Sequence, residues 1–423
     1  MHTGFEGEHR RALRVSFVAG RSRKRDDFLN FLATLMMASA MRSWLPLPCA
    51  RRAFVLAMFA TCALASAAER GVTDTEIVIG QNLALQGGKN DYGVAAQEGM
   101  KLYLDATNAA GGVNGRKIVA VTLDDDNKAA NAEANARKLV ADGAFLLFGA
   151  IDGGPSTSVM KVAAELKVPF FGPLAGPPTL RRPHQPMVFP VRAEHRDEFR
   201  ALMTWGKSVG LTSVGFLHAD TDVGRQHLAN VNIAAKDLGL SVVQAVPFKG
   251  DISDAQIDDI VKAIAEKKPG MFFNHGSASI YQKLVAKAKT AGLKTTFMGV
   301  NSGSSQIAKG LGPLAQGMVF SQVVPSPWER KHEIAREYQD AAQKAGGKIE
   351  LSYGGLEGYV TAKALVLALR AAGRELTRAG FIKAVESGRF DLGGMTARYN
   401  TTEHEGSRFV DLSMVARDGR FIH

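Results

Sequence analysis

Short apolar runs alternate with longer amphipathic segments along the chain from residue 72 onwards. Each unit takes roughly 30 residues, the length of a strand followed by a crossover helix. This alternation predicts an α/β fold in which helices cover parallel sheets. In the first half of the chain it predicts strands at residues 77–85, 118–123, 145–148 and 168–171, and helices at 92–109, 129–142 and 156–166.

Two interruptions divide this pattern. Residues 186–190 read P-M-V-F-P, and paired prolines indicate a connection between elements. The alternation then restarts and is interrupted again near residues 323–327. The chain is too long for one hydrophobic core, so we expect two α/β lobes. The predicted later elements are helices at 196–209, 224–238, 255–267, 279–291, 333–345, 357–372 and 378–387, and strands at 214–218, 242–248, 270–274, 296–299, 397–399 and 410–415.

Residues 1–68 have the composition of an export leader. Arg51 and Arg52 precede the apolar run 53–65, and the small residues S-A-A follow it. This order is typical of a secretory signal peptide, and the run is too short to span a bilayer as a mature helix. We therefore expect a periplasmic protein. The paired arginines leave twin-arginine export open as a route, and translation from Met41, or from Met36 or Met37, is an open alternative for the start.

Charge and cysteine content narrow the function classes. The chain has 52 Lys+Arg and 41 Asp+Glu, a net charge of +11, but residues 1–68 hold 10 of the basic and 4 of the acidic residues. The excess lies largely in the leader, and no basic stripe with interleaved aromatics follows, so nucleic-acid binding is not expected. Cys49 and Cys62 both lie in the leader. The mature protein should have no disulfide, no thiol catalysis and no cysteine metal site.

The stretch from Asn108 to Lys117 reads N-A-A-G-G-V-N-G-R-K. Gly111 and Gly112 should end the preceding helix in a left-handed turn, and Asn-Gly should form a tight turn before a strand. Upstream lies I-V-I-G-Q-N-L-A-L, and downstream lie R-K-L-V-A-D-G and F-L-L-F-G. In that order these segments resemble the first lobe of type I periplasmic binding proteins of the branched-chain amino acid (Leu/Ile/Val) receptor family, the solute-capturing subunits of ABC importers.

The resemblance implies an architecture and a set of partners. It implies two Rossmann-like lobes with parallel sheets, joined by a hinge of three crossing segments. Lobe 1 would comprise residues 72–191 and 325–388, and lobe 2 residues 192–324 and 389–423. The protein would be a monomer that delivers its ligand to ABC permease and ATPase subunits in the inner membrane. We expect no cofactor.

Ligands of open α/β sheets bind beyond the carboxyl ends of the strands. Two loops of the first lobe occupy such positions. The loop G-A-I-D-G-G-P-S-T-S leads into a helix that we expect Ser156 or Thr157 to cap. Where the family uses hydroxyls to bind a carboxylate, this chain has Asp152 and Gly153, and Asp152 would repel a carboxylate unless its side chain points away. The ligand-binding positions that the resemblance implies in this lobe are Asp152, Gly153, Gly154, Leu174, Ala175 and Gly176.

Three loops of the second lobe complete the expected site. The family's stacking aromatic is here Val223, its tyrosine is Ser277, and its ammonium-binding glutamate is Asn301. Asp222 matches the family pattern, although a carboxylate that stabilises a helix N-terminus is the more common explanation for such a residue. A ligand carboxylate could be met by His275, by His218 or by Arg225, although a histidine at a strand end is more often a structural residue. The ligand-binding positions implied here are Asp222, Val223, His275, Ser277 and Asn301.

These departures predict the ligand class. Because Asn301 is neutral, an ammonium group would be left without its counter-charge, which is unfavourable in a buried site. We therefore expect a small polar or aromatic organic acid, an amide or an amino-acid-like ligand, and no standard binding of leucine, isoleucine or valine. A sensing receptor of the same fold that signals to a partner is one alternative.

A second alternative is an exported hydrolase, but the sequence contains no nucleophile motif, no phosphate-binding loop and no H-E-x-x-H. We therefore expect no enzyme activity. The run Asp124-Asp125-Asp126 could suggest a divalent cation, but a carboxylate cluster between a strand end and a helix start explains it better.

Overall fold

The computed structural model describes residues 69–250 and 252–423. The predicted leader and both cysteines lie outside the described residues. Within them, none of the helices combines the length and the apolarity that a bilayer crossing would require.

The first lobe is built on a five-stranded parallel sheet with strand order β2-β1-β3-β4-β5. Strands β1 and β3 are almost wholly buried because helices cover both faces, which explains their continuous apolar sequences. The elements are β1 Glu76–Leu83, α1 Asp91–Ala109, β2 Lys117–Asp124, α2 Ala129–Ala141, β3 Leu146–Gly149, α3 Gly153–Leu166, β4 Phe170–Phe171 and β5 Val188–Phe189.

The turn after α1 has the predicted left-handed geometry. Gly111 and Gly112 have φ values of 98° and 75°, and Asn114 and Gly115 have φ values of 52° and 83°. An alanine at Gly112 would also place its Cβ 2.0 Å from the Arg116 carbonyl oxygen. Glycine is therefore required here for both its backbone freedom and its lack of a side chain.

The second lobe is built on a seven-stranded sheet with strand order β15-β14-β10-β9-β8-β6-β7. Its central strands are parallel, and at one edge β14 pairs antiparallel with β10 on one side and with β15 on the other. The elements are α4 His195–Ser208, β6 Ser213–Ala219, α5 Asp222–Leu238, β7 Ser241–Phe248, α6 Asp254–Lys267, β8 Met271–His275, α7 Ala278–Thr290, β9 Thr296–Gly299, α8 Ser304–Leu311 and β10 Val319–Gln322.

Three helices follow, and the longest packs directly against α1. An alanine at Gly99 would place its Cβ 1.8 Å from the Gly355 carbonyl oxygen, and one at Gly358 would lie 2.0 Å from the Ala96 carbonyl oxygen. The two helix backbones are therefore in contact. The remaining elements are α9 Glu333–Lys344, α10 Tyr353–Ala372, α11 Arg378–Glu386, β11 Arg389–Asp391, β12 Thr396–Tyr399, β13 His404–Gly406, β14 Asp411–Val415 and β15 Phe421–Ile422.

Strands β11 to β13 form a small antiparallel sheet. The Tyr399 ring lies 6.5 Å from Phe171 and 6.0 Å from Phe189, centroid to centroid, and joins the first lobe's core. The sequence predicts that residues 389–423 belong to the second lobe, whereas the structure packs β12 against the first. The lobe boundaries as a whole stay a prediction.

The predicted fold class is confirmed: two lobes, each with a parallel α/β sheet. Several details differ. The sequence pattern does not predict β5, because it has only two residues, and it does not predict β10 or α8. The predicted cap at Ser156 or Thr157 is wrong because α3 already begins at Gly153.

Candidate functional site

The carboxyl ends of the parallel strands of both lobes face one another across what we call the interlobe cleft. Three contacts define it. The Asn301 Nδ2, after β9, donates to Glu357 Oε2 on α10 at 2.6 Å. The Gly176 amide, after β4, donates to His195 Nε2 at 3.2 Å. A Cβ on Gly153 would lie 3.7 Å from Val223 Cγ1. The fold therefore brings six separate loops and helix N-terminal regions to one place.

A set of buried polar and charged residues lies in the cleft. We call Tyr92, Arg192, Glu198 and Glu357 the Arg192 network, and Arg192 itself lies between β5 and α4. Its Nη2 donates to Glu198 Oε2 at 2.7 Å, and its Nη1 lies 3.5 Å from Glu357 Oε1. Tyr92 Oη donates to Glu357 Oε2 at 2.7 Å. Glu198 is fully buried and Glu357 is 1% exposed, so these charges are removed from water. The network therefore links α1 and α10 of the first lobe to α4 of the second.

Glu198 accepts hydrogen bonds on both carboxylate oxygens. Oε1 accepts from the Asn301 amide at 3.1 Å and from Ser321 Oγ at 3.0 Å, while Oε2 faces Arg192. Burial alone would raise its pKa, but the charge of Arg192, together with hydrogen bonds from His195 and the Asn301 amide, outweighs burial and holds the pKa of Glu198 at about 2. Glu198 is therefore a stable carboxylate at neutral pH.

Glu357 accepts hydrogen bonds on only one of its two carboxylate oxygens. Burial raises the pKa of Glu357 above its ordinary value, and the charge of Arg192 offsets this only in part. Its Oε1 has no hydrogen-bond partner, and neither has Asn301 Oδ1. Burial likewise raises the pKa of Tyr92 well above its ordinary value, so Tyr92 remains a hydrogen-bond donor. The two lobes thus present two buried oxygen acceptors in need of donors.

Three histidines of the second lobe lie beside the network, and we call them the histidine cluster. His195 begins α4, His227 lies on α5 and His275 ends β8. One ring nitrogen from each lies within 4.8 Å of the others, the only such group of potential metal ligands in the described part of the chain. The His227 and His275 ring centroids are 3.7 Å apart. Burial, together with the neighbouring histidines, lowers the pKa of His227 and His275 well below the ordinary value, so both rings are neutral near pH 7.

A family model described as "Periplasmic binding protein" matches residues 76–420. The chain belongs to the periplasmic binding protein family.

Relatives and solved structures agree with this assignment. This periplasmic binding protein is 22% identical over 309 residues to the Leu/Ile/Val-binding protein homolog 2 of Brucella abortus, covering 71% of this chain and 81% of the relative. It is 25% identical over 270 residues to the leucine-, isoleucine-, valine-, threonine- and alanine-binding protein of Pseudomonas aeruginosa, covering 62% and 70%. A substrate-binding periplasmic protein from Ralstonia solanacearum superposes with a TM-score of 0.74 at 26% identity, over 82% of this chain and 99% of that one. The resemblance seen in the sequence is confirmed, and the family comprises ABC-transporter substrate-binding proteins.

Some of the expected first-lobe residues of this binding protein are accessible from the cleft, whereas others already have structural contacts. Asp152 precedes α3 with a φ of 65°. Burial raises the pKa of Asp152, and a hydrogen bond from Asn127 offsets this only in part. Gly153 faces the opposite lobe, and Gly154 is exposed, so that a Cβ added there would meet nothing within 4 Å. The other three expected residues are already engaged: Leu174 and Ala175 lie in hydrophobic cores, and both backbone polar groups of Gly176 bond to His195.

Of the expected second-lobe residues, three lie in or beside the cleft and two have structural contacts at helix starts. Val223 and Asn301 lie in the cleft, and His275 belongs to the histidine cluster. Asp222 instead stands at the start of α5 with an exposed side chain that pairs with Arg225 at 2.6 Å. Ser277 caps α7, its Oγ accepting from the Ile280 amide at 3.3 Å. Both therefore have a structural use that explains their presence without a ligand.

The two other groups considered for a ligand carboxylate have partners of their own. His218 Nδ1 lies 3.0 Å from the Ala219 carbonyl oxygen, and its ring stacks on Phe216. Arg225 is mostly exposed and pairs with Asp220 and Asp222. Neither is free to meet a ligand without giving up those contacts.

The aspartates after β2 organise the backbone. Asp124 accepts from the amides of Leu85, Gln86 and Gly87 at 2.9, 3.2 and 2.9 Å. Asp125 is fully buried and accepts from Asn82 Nδ2 at 2.6 Å. These contacts match the structural explanation of the run.

Sequence reasoning does not identify Tyr92, Arg192, Glu198 or Glu357 as site residues. One signal was available: Glu357 is an acidic residue within the apolar run of α10, Y-G-G-L-E-G-Y-V. A carboxylate in an otherwise buried helix indicates a paired or functional group. The other three lie on segments whose pattern is that of ordinary surface or helix-start residues.

Proposed function

We propose that this protein is the substrate-binding subunit of an ABC importer and that it captures a small polar ligand carrying an N–H donor in the interlobe cleft. The observation that carries the proposal is a pair of buried oxygens without hydrogen-bond partners, Asn301 Oδ1 and Glu357 Oε1, the latter having only the ion pair with Arg192 Nη1 at 3.5 Å. They come from opposite lobes and sit where those lobes make contact. A ligand that donates to both would stabilise the closed arrangement.

The chemistry of the acceptors narrows the ligand class. A carboxylate and an amide oxygen are matched by an amide N–H or by an ammonium group. At the facing loop, the N-terminus of α3 offers the Gly153 and Gly154 amides, and Ser156 Oγ is buried without a partner. These donors suit the polar or carboxylate end of the same ligand. Amides and amino-acid-like compounds therefore fit better than simple acids.

The position of Glu357 changes the argument about leucine. The sequence predicts no standard binding of Leu, Ile or Val because Asn301 is neutral. Glu357 nevertheless places a carboxylate oxygen 2.6 Å from the Asn301 side chain. A counter-charge for an ammonium group is thus available from another element, and the exclusion of leucine stays a prediction for titration to decide.

The mechanism is binding with closure. A ligand held by Glu357 of one lobe and Asn301 of the other favours the state in which these residues approach, and so shifts the population towards it. A membrane permease would then recognise the paired lobe surfaces. Export by the N-terminal leader and a monomeric state belong to the same proposal.

A matched set of ligands tests it. Melting temperatures of the purified protein are measured with amides, with amino acids including leucine, and with the carboxylic acids of the same carbon skeletons. Binding to the native state alone raises Tm. We expect compounds with an N–H donor to raise Tm and their donor-free counterparts to have no effect. A response confined to the donor-free acids would refute the proposal.

A variant pair locates the site. For a ligand with an ammonium group, Glu357→Gln should weaken binding by about 30-fold or more, since losing one partner of a buried charge pair costs about 2 kcal/mol or more. Glu350→Gln, the same change at an exposed position, should leave affinity unchanged. Equal affinities for the two variants would place the ligand elsewhere.

A further inference from the structure

We propose that His195, His227 and His275 form a binding site for a divalent transition-metal ion of the Zn²⁺, Ni²⁺ or Cu²⁺ class. The site lies on the second lobe, where it borders the cleft. It goes beyond the proposed capture of an organic ligand and does not depend on it.

The three side chains come from three elements that the fold fixes independently. One ring nitrogen of each lies within 4.8 Å of the other two. For any such triangle there is a point no more than about 2.8 Å from each nitrogen, which is within roughly 0.8 Å of a Zn–N bond of 2.0–2.1 Å. Small rotations of the rings are therefore enough to reach bonding distance.

His227 supplies an independent reason to expect a ligand. Its side chain is fully buried, and neither ring nitrogen has a hydrogen-bond partner. A buried polar group without a partner is destabilising, and native proteins rarely keep one without a use. A metal ion would accept the lone pair of one of these nitrogens.

Glu198 holds the His195 ring in the orientation that metal-binding histidines usually have. His195 Nδ1 lies 2.6 Å from Glu198 Oε2, and because Glu198 is a carboxylate, Nδ1 carries the proton and donates. The lone pair is then on Nε2. A histidine whose second nitrogen donates to a carboxylate is the standard outer-shell arrangement of zinc sites.

The Nε2 lone pair has one weak competitor. The Gly176 amide donates to it at 3.2 Å, at the long end of the hydrogen-bond range. Gly176 belongs to the first lobe, so a metal on His195 replaces a contact between lobes. Separation of the lobes at this point would also open a path for the ion, since His275 is already partly exposed.

The donor set selects the metal class. Three neutral imidazoles suit Zn²⁺, Ni²⁺ and Cu²⁺, whereas Mg²⁺ and Ca²⁺ prefer oxygen ligands. The competing explanation is packing alone, because the His195, His227 and His275 rings lie 6.2, 5.6 and 6.3 Å from the Phe199 ring. Packing accounts for the ring positions but leaves both nitrogens of His227 unpartnered.

The test is a titration of the untagged, metal-stripped protein with Co²⁺ and with Zn²⁺, in the absence of any organic ligand. We expect one equivalent of Co²⁺ to give the intense visible bands of a tetrahedral site with three nitrogen ligands and one water molecule, and Zn²⁺ to displace it. Absence of these bands in the wild-type protein would overturn the proposal and leave aromatic packing as the role of the cluster.

Variants assign the site. His227→Phe and His275→Phe should each weaken Co²⁺ binding at least about tenfold, whereas His332→Phe, at a histidine outside the cluster, should not. Unchanged binding in both cluster variants would assign the metal to surface histidines and refute the proposal. Because no organic ligand is present, the result is independent of the amide and amino-acid screen, and either can fail without the other.

Discussion

The Arg192 network and the histidine cluster are adjacent buried polar regions joined by the contact between Glu198 and His195, yet they are satisfied to different degrees. Both oxygens of Glu198 accept hydrogen bonds, and one also faces a guanidinium group. Neither nitrogen of His227 has a partner. Fully hydrogen-bonded groups such as Glu198 rigidify the structure around them, whereas buried groups without partners, such as His227, mark positions where a ligand would be favoured.

The largest effect should come from removing Glu198, the carboxylate of the Arg192 network that accepts hydrogen bonds on both oxygens. Glu198→Ala leaves Arg192 buried with only the more distant Glu357 as a counter-charge. Removing one partner of a buried pair is strongly destabilising, so we expect the free energy of unfolding in urea to fall by about 3–5 kcal/mol.

Glu165→Ala is the matched control. Glu165 also pairs with an arginine, Arg137, at 2.7 Å, but both side chains are about half exposed. Solvent screens such a pair, so the control should have little measurable effect on unfolding. Similar losses in the two variants would show that burial does not distinguish the network.

Lowering the pH should reduce the stability of the fold through protonation of Glu198. The pKa of Glu198 is about 2 in the folded protein and near its ordinary value of 4.5 when unfolded. A lowered pKa stabilises the fold above pH 4.5, and this contribution of about 3 kcal/mol is lost as pH falls from there towards 2. Urea unfolding at pH 7, 5 and 3 measures it.

The wild-type profile alone does not isolate Glu198. Burial raises the pKa of Asp125 to about 6, so its contribution to stability changes in the opposite direction as pH falls through 6. The quantity to compare is the difference between wild type and Glu198→Gln at each pH. A difference that stays constant from pH 7 to 3 would contradict the assigned pKa.

The smallest effect should have the opposite sign. In metal-free protein, His227→Phe replaces a buried ring with two unpartnered nitrogens by an apolar ring of similar shape. We expect the free energy of unfolding to rise by about 1 kcal/mol, because an unsatisfied buried group costs about 1–3 kcal/mol.

His404→Phe is the contrasting change. His404 is also buried, but its Nδ1 lies 2.8 Å from the Val188 carbonyl oxygen and its Nε2 lies 3.3 Å from Glu386. This variant should lose stability. If both histidine variants were destabilised equally, His227 would have to be satisfied in solution, and the contrast between the two regions would not hold.

The sequence pattern predicts the fold better than the site. Strands β1 and β3 are long enough to show a clear apolar run, and the glycines after α1 indicate their left-handed turn. The two-residue strand β5 gives no such signal, because tertiary pairing alone makes it a strand.

The site depends on contacts that local pattern does not contain. Tyr92 and Glu357 are 265 residues apart in the chain, and Asn301 and Glu357 are 56 apart. Loops after strand ends can be predicted because topology places them together. Which acidic side chain enters the cleft cannot, since it depends on how α10 packs on α1. The sequence therefore identifies Asn301 but does not indicate that the Glu357 carboxylate lies beside it in the fold.

The open surroundings of Gly154 have a practical consequence. A side chain there meets nothing within 4 Å, while the adjacent Gly153 packs close to Val223 of the opposite lobe. Residues 69–423 contain no cysteine. Gly154→Cys would therefore give a single attachment point for an environment-sensitive fluorophore at the edge of the cleft. Such a labelled protein would convert lobe movement into a light signal and could screen compound collections or metal salts optically.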